Sequence, residues 1–163
     1  GNKMNAAIVR YVRSTYNVLI GDSTADRVKR EIGTVWTEGQ PEKTVEVKGR
    51  NLVTGLPQKI TLSSYELEMP LRIEVERIIT ALQSVMEQTP PELVADIEKN
   101  GLLMTGGGAM LDGLDKLITS RVRIRAHLAE NPIEAVAIGT GKSFEYLGKL
   151  YDGFVSYTNY SSR

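Results

Sequence analysis

The stretch Leu102-Leu103-Met104-Thr105-Gly106-Gly107-Gly108-Ala109-Met110-Leu111 constrains this chain more than any other. Its apolar run reads as a short buried strand, its three consecutive glycines as a turn, and the apolar spacing from Ala109 to Ile118 as a helix. Glycine removes every Cβ from such a turn. A ligand can then lie against bare backbone while N–H groups at the helix start face its negative part. Two readings stand open here: a nucleotide or phosphate cradle, and a turn that only lets a helix fold tightly back on its strand. The stretch has neither the spacing of a GxGxxG dinucleotide fingerprint nor the lysine of a P-loop.

Upstream, Met4, Ala7, Ile8, Tyr11, Val12 and Tyr16 fall at helical spacing, which predicts an amphipathic helix over 4–16 with a left-handed cap at Asn17. Asp22 or Ser23 can cap a second helix over 24–32, ended by Gly33. That helix has a thin core stripe of Ala25, Val28 and Ile32, and Asp26, Arg27, Lys29, Arg30 and Glu31 crowd the rest of it. On charge pattern alone that cluster is a solvated face.

The period then changes. Segments 34–37, 44–48 and 58–62 are short and β-branched between turn-rich spacers, which predicts a small antiparallel meander. Ser63 and Ser64 offer a cap to a helix from Tyr65, Pro70 predicts a break, and Leu71 to Met86 predicts a fresh core-facing helix. Thr89-Pro90-Pro91 stops it, a short helix follows over 92–99, and Asn100-Gly101 closes that. Beyond the glycine stretch, 122–127 alternates like a strand with Arg121, Arg123 and Arg125 on one face, which reads as a solvated sheet edge. His127 reads as an ordinary polar residue, and the small residues Ala135, Ala137, Gly139 and Gly141 as a helix face that lets another backbone come close. The tail over 151–163 shows no periodicity.

Composition excludes several functions. Twenty acidic and twenty basic residues balance over 163, with no cationic run, so electrostatic capture of nucleic acid is not indicated. No cysteine means no disulfide framework and no thiolate metal site, and a single histidine leaves zinc chemistry and a Ser-His triad without support. No apolar segment reaches the ~20 residues that span a bilayer.

Several motifs now fall into one order: Gly1-Asn2-Lys3-Met4-Asn5-Ala6-Ala7-Ile8, Leu19-Ile20-Gly21, Ala25-Asp26-Arg27-Val28-Lys29, Val47-Lys48-Gly49-Arg50-Asn51-Leu52, Thr89-Pro90-Pro91-Glu92-Leu93, Leu103 to Ala109, and Asn131-Pro132 through Ala137 to Lys142. Together they resemble the MreB/Mbl-type bacterial actins over nearly the whole chain up to Leu150. The resemblance implies an α/β fold, α+β in its small lobe: the second domain of an actin-like ATPase, incomplete. A small outer lobe would span 4–69, a larger inner lobe with helices on a sheet 70–150, and a tail 151–163.

The implied function is that of a filament-forming cytoskeletal protein that binds ATP or ADP with magnesium and organises cell-wall synthesis and rod shape. The full-length protein would be cytoplasmic and peripheral to the inner face of the membrane. Its partners would be further copies of itself, its own amino-terminal domain and cell-wall elongation proteins, with no nucleic acid. The resemblance places the phosphate loops, the magnesium-associated aspartate and the membrane-insertion loop upstream of Gly1. The chain is therefore expected to carry no catalytic or metal-ligating residue and not to hydrolyse ATP alone. By the same resemblance Gly106, Gly107 and Gly108 line the adenosine side of the nucleotide, with Ala109 and Met110 opening the helix beside it. Asp26 would meet the ribose hydroxyls, where most relatives carry glutamate. Lys29 and Arg30 would lay their aliphatic stems against the base while their charged heads stay wet. Asn5 stands where relatives commonly have aspartate. Two alternatives remain: an assembly module that binds no nucleotide, and another ATPase of the superfamily such as a sugar kinase or a chaperone.

Overall fold

The computed structural model of the chain describes residues 1–145, so the 151–163 tail and the end of the 70–150 segment lie outside the described residues. Helix α1 (Asn2–Tyr16) forms because Met4, Ala7, Ile8 and Val12 fall on one stripe and are buried together. It ends at Asn17, whose φ of 52° is left-handed. A two-residue strand β1 (Val18–Leu19) follows, too short for periodicity to reveal. Helix α2 (Asp22–Ile32) buries Ala25, Val28 and Ile32 as expected. It starts two residues before the expected Thr24, and its cap is the extended Gly21 with no side-chain bond, so neither Asp22 nor Ser23 serves as cap.

Strands β2 (Thr44–Asn51) and β3 (Pro57–Ser63) pair antiparallel, with Val47 opposite Ile60, and β1 pairs with β2 on the other side. Period-two alternation turns Val47, Ile60 and Leu62 inward against the helices. The third expected strand, 34–37, does not form: Thr34 makes only a single parallel bridge to Asp112. Its β-branched residues found a loop as their partner.

Ser63 caps α3 (Ser64–Glu87) in a full capping box with Glu66. The break expected at Pro70 is absent, and the helix runs through it. A proline inside a helix costs about 3 kcal/mol. Here Leu67, Leu71, Val75 and Ile79, flanking Pro70, are all buried, and each such burial contributes roughly 1.5–3 kcal/mol. Burial wins.

Helix α4 (Pro91–Asn100) has Pro91 in its first turn and Gly101, at φ 81°, behind it, and it buries none of its residues. Strand β4 (Leu102–Met104) pairs parallel with β5 (Ala126–Leu128), Leu102 opposite Ala126. Between them the expected helix over 109–118 is divided. Gly107–Met110 form a 3-10 turn, and α5 (Leu114–Val122) begins only after Gly113, whose φ of 75° breaks the run. The strand expected over 122–127 starts at Ala126, because α5 extends to Val122 and Arg123 turns left-handed at φ 60°. Arg121 lies on the helix, bonded to Glu76, so the three arginines do not share a strand face. In α6 (Ala135–Glu145), Cβ atoms built on Gly139 and Gly141 would meet nothing within 4 Å among the described residues, so no close backbone explains them. One apolar cluster joins α1, α2, the three-stranded sheet, α3 and α5.

Candidate functional site

Asp26 on α2 and Gly107 in the glycine turn are 81 positions apart in sequence, and a clasp brings their segments together. Asp112 accepts at its carbonyl from the Val35 N–H at 3.0 Å and from the Thr34 hydroxyl at 3.3 Å. Thr34 is itself buried, and its hydroxyl oxygen accepts from the Trp36 N–H at 3.1 Å. Gly113 fits beneath Trp36 only because it lacks a Cβ, which would overlap that side chain. The segment after α2 is thus fastened to the segment after the turn, and the two walls face each other at a set distance.

Between them lies a cleft of about 560 Å³. Its α2 wall is Asp26, Lys29, Arg30 and Glu31, and its opposite wall is Gly107, Gly108, Met110, Leu111 and Asp112. Gly1 and Met4 of the α1 end, Gly33, Lys43 and Ile133 complete the border. A Cβ built on Gly106, Gly107 or Gly108 meets nothing within 4 Å, so the turn offers bare backbone to open space.

The α2 wall is held by its own ion pairs. Lys29 Nζ donates to Asp26 Oδ1 and to Asn5 Oδ1, both at 2.7 Å, and the Arg30 guanidinium lies 2.7 Å from Asp26 Oδ2. The hydrogen bond from Lys29 is the main cause that holds the Asp26 carboxyl below the usual carboxylate range. Desolvation opposes it, and the charges of Lys29 and Arg30 add to it. The two cations differ in setting: the Lys29 side chain is 17% exposed and the Arg30 side chain 76%. Lys29 is therefore a fixed wall whose head staples α2 to α1, whereas Arg30 stands in solvent. Two lone-pair directions of Asp26 remain for hydroxyl donors.

Six charged side chains border the cleft, three cationic (Lys29, Arg30, Lys43) and three anionic (Asp26, Glu31, Asp112). Their charges cancel, which suits the uncharged nucleoside part of a nucleotide and gives a phosphate no net attraction. No group of three acidic or histidine side chains that could hold a metal occurs among the described residues.

Of the residues expected from sequence, the structure brings together Asp26, Lys29, Arg30, Gly107, Gly108 and Met110. Gly106 and Ala109 do not border the cleft. Gly106 instead donates its N–H to the Pro132 carbonyl, and Ala109 is half-buried in the 3-10 turn. The expected helix N-terminus at the turn is also absent, since a single 3-10 turn of four residues replaces it. Sequence reasoning missed Gly1, Met4, Glu31, Gly33, Lys43, Leu111, Asp112 and Ile133 as cleft residues. Met4 and Leu111 read as core, and Lys43, Asp112 and Ile133 reach the cleft only through long-range contacts.

The chain is similar to known proteins over most of its length. The sequence model of the MreB/Mbl protein family matches residues 1–152. The chain is 42% identical over 150 residues to the cell shape-determining protein Mbl of Bacillus subtilis, covering 92% of this chain and 45% of that protein. It is 42% identical over 147 residues to the cell shape-determining protein MreB of Escherichia coli, covering 90% and 42%. The crystal structure of MreB5 of Spiroplasma citri bound to ADP superposes with a TM-score of 0.87 at 32% identity, covering 93% of this chain and 46% of that one. The chain thus spans a little under half the length of the relatives it matches.

Proposed function

This chain belongs to the MreB/Mbl family and has an actin-like α/β fold, and on that premise we propose that it is the adenosine-side half of a filament-forming bacterial actin that determines cell shape. The three-stranded sheet with α1 and α2 forms the outer lobe over 4–69, and the two-stranded sheet with its helices the inner lobe over 70–150. ATP or ADP, with magnesium held by residues outside this chain, enters between Asp26 and Lys29 on one side and Gly107 and Gly108 on the other. Asp26 accepts from the ribose hydroxyls. The stem of Lys29 covers the base and Arg30 closes its outer rim. The full protein assembles with copies of itself and works with cell-wall elongation proteins at the inner face of the membrane.

The observation that carries this reading is the bare-backbone turn facing an ion-paired α2 wall across a charge-neutral cleft, in a fold whose MreB5 relative was crystallised with ADP. Calorimetric titration with ADP and ATP tests it. Weak binding is expected, and Gly107→Asp should abolish it: the new side chain enters the open cleft, so the melting temperature should not change. Absence of heat with the unaltered chain, or equal binding by the variant, would contradict the reading. The phosphate-handling residues lie outside this chain in the proposal, so ATP turnover by the purified chain should not exceed a buffer control.

A further inference from the structure

Asn5 does not border the cleft, yet it holds one of the side chains that do. It sits on α1, 4% exposed, and both polar ends of its amide bond to α2. Its Oδ1 accepts from Lys29 Nζ at 2.7 Å, and its Nδ2 donates to Asp22 Oδ2 at 3.4 Å. An ammonium only donates and an ionised carboxylate only accepts, so a group set between Lys29 and Asp22 must accept from one and donate to the other. An amide does both.

The consequence falls on Lys29. Its other acceptor, Asp26 Oδ1 at 2.7 Å, lies three positions back on the same helix, so that bond alone leaves the lysine on α2. Asn5 draws the head onto a second helix, and the stem between runs along the border of the cleft. A lysine held at its head by acceptors on two helices has already lost the rotamer freedom that a ligand packing on its stem would otherwise remove.

Resting on the adenosine reading above, we propose that Asn5 is a positioning residue for the nucleotide. It orders Lys29 before the base arrives and touches no part of the ligand itself.

Calorimetric titration with ADP tests this across a small set of variants. Asn5→Leu removes the acceptor and should weaken ADP about fivefold, the scale of ordering one long side chain on binding. Asn5→Ala, which removes the acceptor without adding bulk, should do the same. Asn5→Asp keeps an oxygen for Lys29 and loses only the longer bond to Asp22, so it should bind ADP within about twofold of the unaltered chain. In Lys29→Met, which keeps an apolar stem and lacks the head, Asn5→Leu should cause no further loss, because nothing remains for Asn5 to hold. An equal loss in both backgrounds, or a loss in Asn5→Asp as large as in Asn5→Leu, would assign Asn5 to general support of the fold and overturn the proposal. Binding unmoved by Asn5→Leu and Asn5→Ala, yet abolished by Gly107→Asp, overturns this proposal alone. No binding by the unaltered chain overturns the adenosine reading and this with it.

Discussion

Two regions of this chain differ in how they use their apolar residues. Around α1, α2, α3 and the three-stranded sheet, the apolar stripes close on one another, and Ile8, Val28, Leu62, Leu67 and Leu71 have no solvent contact. Around β4, β5, α4 and α6, many of the same kinds of residue stand open, although Ala126 is buried. Leu103 at the centre of β4 is 61% exposed, and α4 buries nothing although Leu93, Val94 and Ile97 give it an apolar side. Parallel strands are normally covered on both faces. The antiparallel region closes its core, with α5 packed into it, whereas the parallel region exposes a face of the kind that another part of a longer protein, or another copy, covers.

The largest test of that contrast is a matched pair of truncations. Leu71→Ala, inside the closed region, should lose about 3 kcal/mol or more by urea denaturation, because it leaves a cavity in a packed core. Leu93→Ala, in α4, should stay within about 0.5 kcal/mol. Equal losses would break the comparison.

Next in size is the ionic clamp beside the core. The Glu74 carboxylate, 4% exposed, accepts from Arg10 at 2.8 Å and lies 3.0 Å from the Arg77 guanidinium, tying α1 to α3. Both arginines are well exposed and rehydrate when the carboxylate goes. Glu74→Ala should therefore lose only about 1–2 kcal/mol in the same assay. A change below about 0.3 kcal/mol would show that packing alone joins the helices.

A smaller effect reads the same helix pair through pH. The Tyr16 and Tyr11 hydroxyls both donate to Glu66 Oε2, at 2.6 Å and 3.1 Å. The Tyr16 phenol is pushed up to about 12, first by its hydrogen bond to Glu66, then by desolvation and the negative charge of Glu66. The folded state then holds its proton more tightly than the unfolded state. Stability is complete below pH ~10 and falls as pH rises toward 12. The urea midpoint should show that fall, and Tyr16→Phe should flatten it. An unchanged slope in the variant would assign the fall to other groups.

The smallest effect on stability belongs to the open face. Leu103→Lys should change the melting temperature little, yet reduce concentration-dependent association in light scattering. A chain that stays monomeric over a wide concentration range before substitution would contradict this.

Much of the closed region was legible in the sequence. The stripes of α1 and α2, the β2–β3 pair and the cap offered at Ser63 are local signals, and the structure reproduces them. The misreadings arose where distant contacts decide. Pro70 passes through α3 because residues flanking it are buried. Thr34 to Thr37 carry strand-forming residues, but only Thr34 and Val35 find a backbone partner, in the loop at Asp112, and Gly113 divides the helix read from Ala109 because Trp36 covers it. In the cleft, Gly107 and Gly108 belonged to a turn whose bare backbone already admitted a ligand, whereas Asp26, Lys29 and Arg30 were reached only through family resemblance, since charge pattern alone favoured a solvated face. Lys43 and Asp112 carried no local signal, because the clasp and the Ser64 contact that place them join segments far apart in sequence.

Hydrogen exchange with and without ADP tests the adenosine cleft most directly. The account predicts slowed exchange at Gly107 to Asp112 and along Asp26 to Arg30 on adding ADP, with the β2–β3 turn over 52–56 unchanged. Slowing at that distant turn with none at the two cleft walls would contradict it, as would no change anywhere at saturating ADP.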